Sequence, residues 1–209
     1  MLLVIDYGIG NLSSFTKALN HLSLPFTVSA NAEDVRNAAS LVLIGVGSFG
    51  GTMAELNRRG FVAAIREHVA QDRGKLFGVC VGMQMLFEGS EEAPGVPGLG
   101  LVPGTVRKLT SQPEAAVPHV GFDELHYDQP SSMMRALPKG TAFYFTHSYA
   151  VMNTPPGCWT ATCRHGATSF VAAVDTGKLA GVQFHPEKSQ SNGLVLLRNS
   201  LASGGASRA

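Results

Sequence analysis

Leu76-Phe77-Gly78-Val79-Cys80-Val81-Gly82 is the stretch from which the fold can be read. Leu76 to Val79 is a short apolar run, the pattern of a strand buried on both faces. Apolar residues resume at Met83, Met85, Leu86 and Phe87, which predicts a helix opening directly after Cys80. A strand turning sharply into a helix around G-x-nucleophile-x-G pushes the central side chain out at the carboxyl end of the sheet. Glycines on either side remove Cβ atoms that such a turn has no room for. A helix N-terminus favours a thiolate placed on it, and the N–H of Val81 is left to face a developing oxyanion. The competing reading is a buried cysteine that serves only as a small hydrophobe.

Upstream of the elbow, Leu2 to Ile5, Phe26 to Ser29 and Leu41 to Ile44 read as strands. Leu12, Phe15, Leu19 and Leu22 recur at helical spacing behind a capping Asn11, and Phe61, Ile65 and Val69 mark a helix over Gly60 to Ala70. Strands alternating with helices predict an α/β fold, an open, mostly parallel sheet flanked by helices. Downstream the pattern changes. Thr105 to Leu109, Ala142 to Thr146, Trp159 to Cys163, Thr168 to Val174 and Leu179 to Phe184 are strand-like, with Gly and Pro between them. They predict added antiparallel strands in the second half, attached to the parallel sheet. A last helix is expected over Asn192 to Leu201, and the small, polar tail Ser203 to Ala209 is expected to fray.

Composition narrows the function. The 209 residues, 44% hydrophobic, suffice for one full core and not two, so a single domain over 1–202 is expected. With 16 basic and 15 acidic residues and no basic stripe, nucleic acid is not the expected partner. Three cysteines without metal-type pairing give no disulfide framework or zinc site, and fit a reducing compartment. No metal and no cofactor are expected. Asp6 lies close to Met1 with no basic region before it, and no apolar run approaches the ~20 residues that span a bilayer. A cytosolic (cytoplasmic) chain with no membrane contact is expected.

A cysteine nucleophile needs a base, and the base needs an orienting acceptor. His185-Pro186-Glu187 supplies both where the strand ending at Phe184 stops. The plainer reading is a surface histidine in a turn. The other six histidines, His21, His68, His119, His126, His147 and His165, lack a strand end and a carboxylate at this spacing. Gly45-Val46-Gly47-Ser48-Phe49-Gly50 matches a dinucleotide fingerprint, but the acids ~20 residues on, Glu67 and Asp72, fall in or just after a helix rather than on a second strand. The better use of this loop is to turn bare N–H groups toward the Cys80 thiol from the neighbouring strand.

These segments together resemble the class I glutamine amidotransferases of the Cys-His-Glu type, a family with a flavodoxin-like sheet. More narrowly, the chain is similar to the glutaminase subunits of imidazole glycerol phosphate synthase in histidine biosynthesis. The matching segments are Asp6 to Asn11, Gly45 to Gly50, Gly78 to Phe87 with Glu91-Glu92, Pro118-His119, Phe145 to Tyr149, and Gly181 to Gln190. The resemblance implies that Cys80 attacks L-glutamine, that His185 is base and then acid, and that Glu187 orients it. It implies oxyanion N–H groups from Val46 and Val81, and glutamine held by Gly47, Gln84, Glu92, Ser148 and Tyr149. It also implies a cyclase subunit with a (βα)8 barrel that docks over the site as a heterodimer and receives ammonia, with Asn11, Phe122, Tyr144 and Lys188 on the docking face. Two departures stand out: Ile44 precedes Gly-Val-Gly where the family usually has Pro, and Gly121-Phe122-Asp123 replaces the usual Gly-Trp-Asn. The alternatives are a glutaminase or γ-glutamyl hydrolase of another pathway, and a catalytically silent binding subunit. A silent chain is expected to lose Cys80, His185 or Glu187, and all three are present.

Overall fold

The computed structural model describes residues 1–202; the tail expected to fray, 203–209, lies outside the described residues. The first half runs β1 (Leu2–Ile5), α1 (Leu12–His21), β2 (Phe26–Ser29), α2 (Ala32–Asn37), β3 (Ser40–Gly45), α3 (Phe49–Arg58), α4 (Phe61–Ala70), β4 (Lys75–Cys80) and α5 (Val81–Gln84). The second half runs β5 (Gly89–Ser90), β6 (Thr105–Lys108), β7 (His119–Glu124), β8 (Ala142–His147), β9 (Tyr149–Val151), β10 (Trp159–His165), β11 (Thr168–Asp175), β12 (Leu179–Val182) and α6 (Gln190–Leu201).

The main sheet has the order β2-β1-β3-β4-β12-β11-β9-β6-β5, with β10 paired to β11. The strands from β2 to β12 are parallel to one another. Their order is the doubly wound one, in which sites form beyond the carboxyl ends of the strands. β1 is buried along its whole length, and β3 and β4 from their second residues onward, as strands covered on both faces should be. α2 and α3 pack on α4, while α1 and α6 gather around the turn Pro186–Lys188. Beyond β12 the pairing becomes antiparallel through β11, β9 and β6, as expected. No helix among the described residues is long and apolar enough to cross a membrane.

Three expectations change. The helix after Cys80 is a single turn, Val81–Gln84, and the residues to Phe87 continue as turns. Met85, Leu86 and Phe87 are apolar because they are wholly buried, not because they continue a helical face. The strand expected to reach Phe184 stops at Val182. β8 does not join the main sheet but pairs with β7 in a sheet of two strands.

Candidate active site

β3, β4 and β12 end side by side. Gly45 stands opposite Cys80 in the parallel register, and Val182 stands opposite Val79. Cys80 has φ 55° and ψ −114°, a left-sided backbone that few non-glycine residues adopt. Such conformations persist only where the surroundings over-determine them. Here the packing is backbone against backbone: a Cβ on Gly82 would lie 1.9 Å from the Leu43 carbonyl oxygen, and one on Gly45 would lie 2.6 Å from the Gly82 nitrogen. These contacts draw the start of α5 onto β3 and bring the glycine-rich loop beside the cysteine. The turn of α5 is too short for a strong helix dipole.

His185 and Glu187 meet through a turn rather than through strand alternation. Pro186–Lys188 forms a 3-10 turn, and His185 Nδ1 lies 2.8 Å from Glu187 Oε1. Both side chains are almost fully shielded, at 2% and 0% exposure. Glu187 Oε2 has no partner among the described residues, so its charge is answered mainly by His185. Burial alone would lower the His185 pKa; hydrogen bonds to Cys80 and Glu187 outweigh it and hold the value up at about 9. With Nδ1 committed to Glu187, Nε2 is the nitrogen left for the thiol. The His185 backbone is fixed as well. Its N–H donates to the Tyr144 carbonyl at 2.8 Å, and Ser189 Oγ donates to the His185 carbonyl at 2.7 Å while accepting the Tyr144 N–H at 2.9 Å.

A cavity of about 450 Å³ opens over Cys80 and His185. Val46, Gly47, Val81, Gln84, Glu92, Ser148, Tyr149 and Lys188 are among the residues that line it. Every residue expected to hold substrate or oxyanion therefore lies on one wall system. Gln84, 3% exposed, gives its Nε2 to the Tyr149 carbonyl at 2.9 Å and to Gln183 Oε1 at 3.0 Å. Glu92 Oε2 accepts the Phe49 N–H at 2.7 Å, tying the cavity wall to the first turn of α3. The buried Tyr7 hydroxyl donates to the Ile44 carbonyl at 2.5 Å, anchoring the strand just before the glycine-rich loop. Burial, with Cys80 nearby, pushes the pKa of that hydroxyl well above its ordinary value.

Of the expected docking residues, Phe122, Tyr144 and Lys188 come together. Phe122 and Tyr144 are register partners with ring centroids 5.5 Å apart, and Lys188 Nζ lies 5.8 Å from the Tyr144 centroid. Phe122 is 48% exposed and Val120 on the same face of β7 is 56% exposed. Asn11 is not part of the cavity wall; its side chain accepts the Ser14 N–H and caps α1. Sequence reasoning held Gln183, whose Nε2 lies 3.7 Å from Cys80 Sγ, and Pro118, Thr146 and His147 on the cavity wall only within matching segments and gave none of them a role. Gln183 carried a signal, since it is a polar residue in the otherwise apolar run Val182-Gln183-Phe184.

Residues 3–203 match the sequence model of the family described as glutamine amidotransferase class-I. A protein of Moorella thermoacetica named imidazole glycerol phosphate synthase subunit HisH is 43% identical over 196 residues, which cover 94% of this chain and 91% of the relative. The protein of the same name from Deinococcus radiodurans is 43% identical over 197 residues, with coverages of 94% and 91%. Among solved structures, a glutamine amidotransferase superposes with TM-score 0.71 at 19% identity, covering 95% of this chain and 98% of the other. PurLQS from Thermotoga maritima superposes with TM-score 0.71 at 16% identity, with coverages of 96% and 97%. At these identities the superpositions speak for the fold.

Proposed function

The chain belongs to the class-I glutamine amidotransferases, and from that membership we propose that it is the glutaminase subunit of an imidazole glycerol phosphate synthase in histidine biosynthesis. The relatives that bear this name align with it nearly end to end. The observation that carries the chemistry is the buried His185–Glu187 pair, with His185 hydrogen-bonded to Cys80 and both of these lining the cavity.

The steps follow from these positions. In the productive state the Cys80 proton rests on His185, whose raised pKa favours it there, and the thiolate attacks the side-chain amide carbon of glutamine. The carbonyl oxygen becomes an oxyanion, to which Val46 and Val81, both on the cavity wall, give their N–H groups on this reading. The imidazolium gives its proton to the departing nitrogen, ammonia leaves, and a thioester remains on Cys80. Water, deprotonated by the same histidine, attacks the thioester and releases glutamate. Glu187 holds the ring in place and balances its charge throughout. No metal or redox group enters any step.

Gly47, Gln84, Glu92, Ser148 and Tyr149 hold the substrate's α-amino and α-carboxylate ends on this reading. The exposed Phe122–Tyr144–Lys188 cluster, beside the cavity mouth, supports docking of a (βα)8-barrel cyclase that takes the ammonia. The test is co-purification with the cyclase, followed by assay of glutamine hydrolysis and of cyclase product from glutamine and from free ammonia. Hydrolysis that rises on complex formation, with product made from glutamine, is expected. A chain that neither binds the cyclase nor releases ammonia beside it would overturn the assignment.

A further inference from the structure

A second histidine assembly runs inward from His147 on the cavity wall, and none of the steps above uses it. β7 and β8 place His119 opposite His147 in register, and both are buried. His147 Nδ1 lies 3.0 Å from the Tyr149 carbonyl oxygen. A carbonyl only accepts, so Nδ1 carries a proton. Burial, with His119 nearby, presses the His147 pKa down to about 3, so the ring is neutral and its Nε2 is bare. His119 Nδ1, 3.1 Å from that bare nitrogen, must then be the donor. The other His119 nitrogen, Nε2, lies 2.6 Å from Asp123 Oδ2. A neutral His119 with its proton on Nδ1 would set a lone pair against a carboxylate lone pair at this distance. The contact therefore needs one more proton, shared between His119 and Asp123.

The assembly reaches the nucleophile. The Tyr149 carbonyl that accepts from His147 also accepts from Gln84 Nε2 at 2.9 Å. Gln84 Nε2 also donates to Gln183 Oε1 at 3.0 Å, and Gln183 Nε2 lies 3.7 Å from Cys80 Sγ. The polar contacts thus run unbroken from Asp123, whose side chain is 44% exposed, to Cys80. On the way they fix His147 and Tyr149, on either side of Ser148, at the wall that faces the substrate.

We infer that His119 and Asp123 are positioning residues that form a titratable clamp, holding the His147–Tyr149 wall in register with Gln84, Gln183 and Cys80 while their shared proton is bound. This rests on the glutaminase reading above. The titratable groups facing His119 are Asp123 on its own strand, His147 across on β8, and His165 at the end of β10. Cys163 of β10 lies near Asp123 and stays a thiol, pushed up to about 12 mainly by burial. Burial also pulls the His119 pKa below the ordinary histidine value, against the hydrogen bond to Asp123. The clamp is thus closed at acid pH and opens as pH rises through that lowered value, when the exposed Asp123 swings toward water. A divalent cation fits the group less well. The His119, Asp123 and His165 ligand atoms lie within 4.8 Å of one another, but the two rings stack with centroids 4.3 Å apart at 29°, so their in-plane lone pairs run side by side rather than converging.

Asp123→Asn separates a titratable clamp from a merely structural contact. An amide N–H can donate to the bare Nε2 of neutral His119, which completes the network with no extra proton. kcat/KM for glutamine would be measured against pH for the wild-type complex, Asp123→Asn, Asp123→Leu and His119→Gln. Imidazole nitrogen NMR would be recorded alongside, its His119 signal identified by its loss in His119→Gln. Wild type should show an ionisation on the acid side of neutrality, in which His119 passes from two protonated nitrogens to one. Asp123→Asn should keep activity and lose that ionisation. Asp123→Leu should lower kcat/KM by roughly two- to thirtyfold, the range remote positioning residues reach. A His119 Nδ1 that is unprotonated at every pH, an unchanged pH profile in Asp123→Asn, or stoichiometric zinc binding that shifts these ring signals would each overturn the clamp. A wild type with no glutaminase activity at all would instead count against the proposed function, and the ring nitrogens would still decide the clamp.

Discussion

At the scale of single residues, the proposed triad of Cys80, His185 and Glu187 makes separable predictions. Cys80→Ala should abolish use of glutamine while the complex still makes product from free ammonia, as an assay with each nitrogen source will show. Removing a general acid–base costs roughly 10²–10⁴ in rate. His185→Ala should fall in that range and Glu187→Gln should cost less. The double variant should match His185→Ala, because groups acting as a unit do not add; single-turnover kinetics measures this. The pH sign follows from the raised His185 value of about 9. The ring stays protonated through neutrality and loses its proton as pH rises through about 9, so kcat/KM should decline on an alkaline limb near there. Glu187→Gln removes one of the groups that raise that value and should move the limb to lower pH. Position 123 belongs to this scale too: Asp123 puts an ionisable group beside His119.

At the scale of elements, the elbow depends on glycines that let two backbones meet. Gly82→Ala drives a methyl to within 1.9 Å of the Leu43 carbonyl oxygen, and neither strand nor turn has a flexible side chain to yield. Overpacking of this kind costs about 1–3 kcal/mol, and the upper end is expected here; urea unfolding checks it. Ile44→Pro tests the next strand. With its carbonyl already held by Tyr7, a fixed φ at Ile44 should restrict the glycine-rich loop. It should lower ammonia release by the complex when no cyclase substrate is present, compared directly with wild type. The elbow and β1, α1, β3 and α4 were legible because each carries an apolar pattern that is local. α3 was not, since it opens on Phe49-Gly50-Gly51, which reads as loop. β7 was hidden behind Pro118 and interrupted by Gly121, and β9 is only three residues long. The His119–His147 contact joins residues 28 apart and exists only because β7 pairs with β8, so no local spacing announces it.

At the scale of the whole molecule, the cavity shares Lys188 with the cluster around Phe122, which with Val120 is exposed among the described residues. Phe122→Ala should weaken the complex by ~1–2 kcal/mol, roughly five- to thirtyfold, while the unfolding midpoint of the chain alone stays unchanged. Titration calorimetry and thermal denaturation separate the two effects. The backbone bonds that join Tyr144 to His185 and Ser189 carry a further consequence. β8 sets the half-buried Tyr144 ring beside Phe122 and its peptide against His185, the proposed base, so a displacement at either end is felt at the other. Coupling between two binding events is reciprocal. The factor by which the cyclase tightens a non-hydrolysable glutamine analogue must equal the factor by which that analogue tightens the cyclase. Measuring both affinities would close that cycle, and the proposed docking face would then report the occupancy of the glutamine pocket.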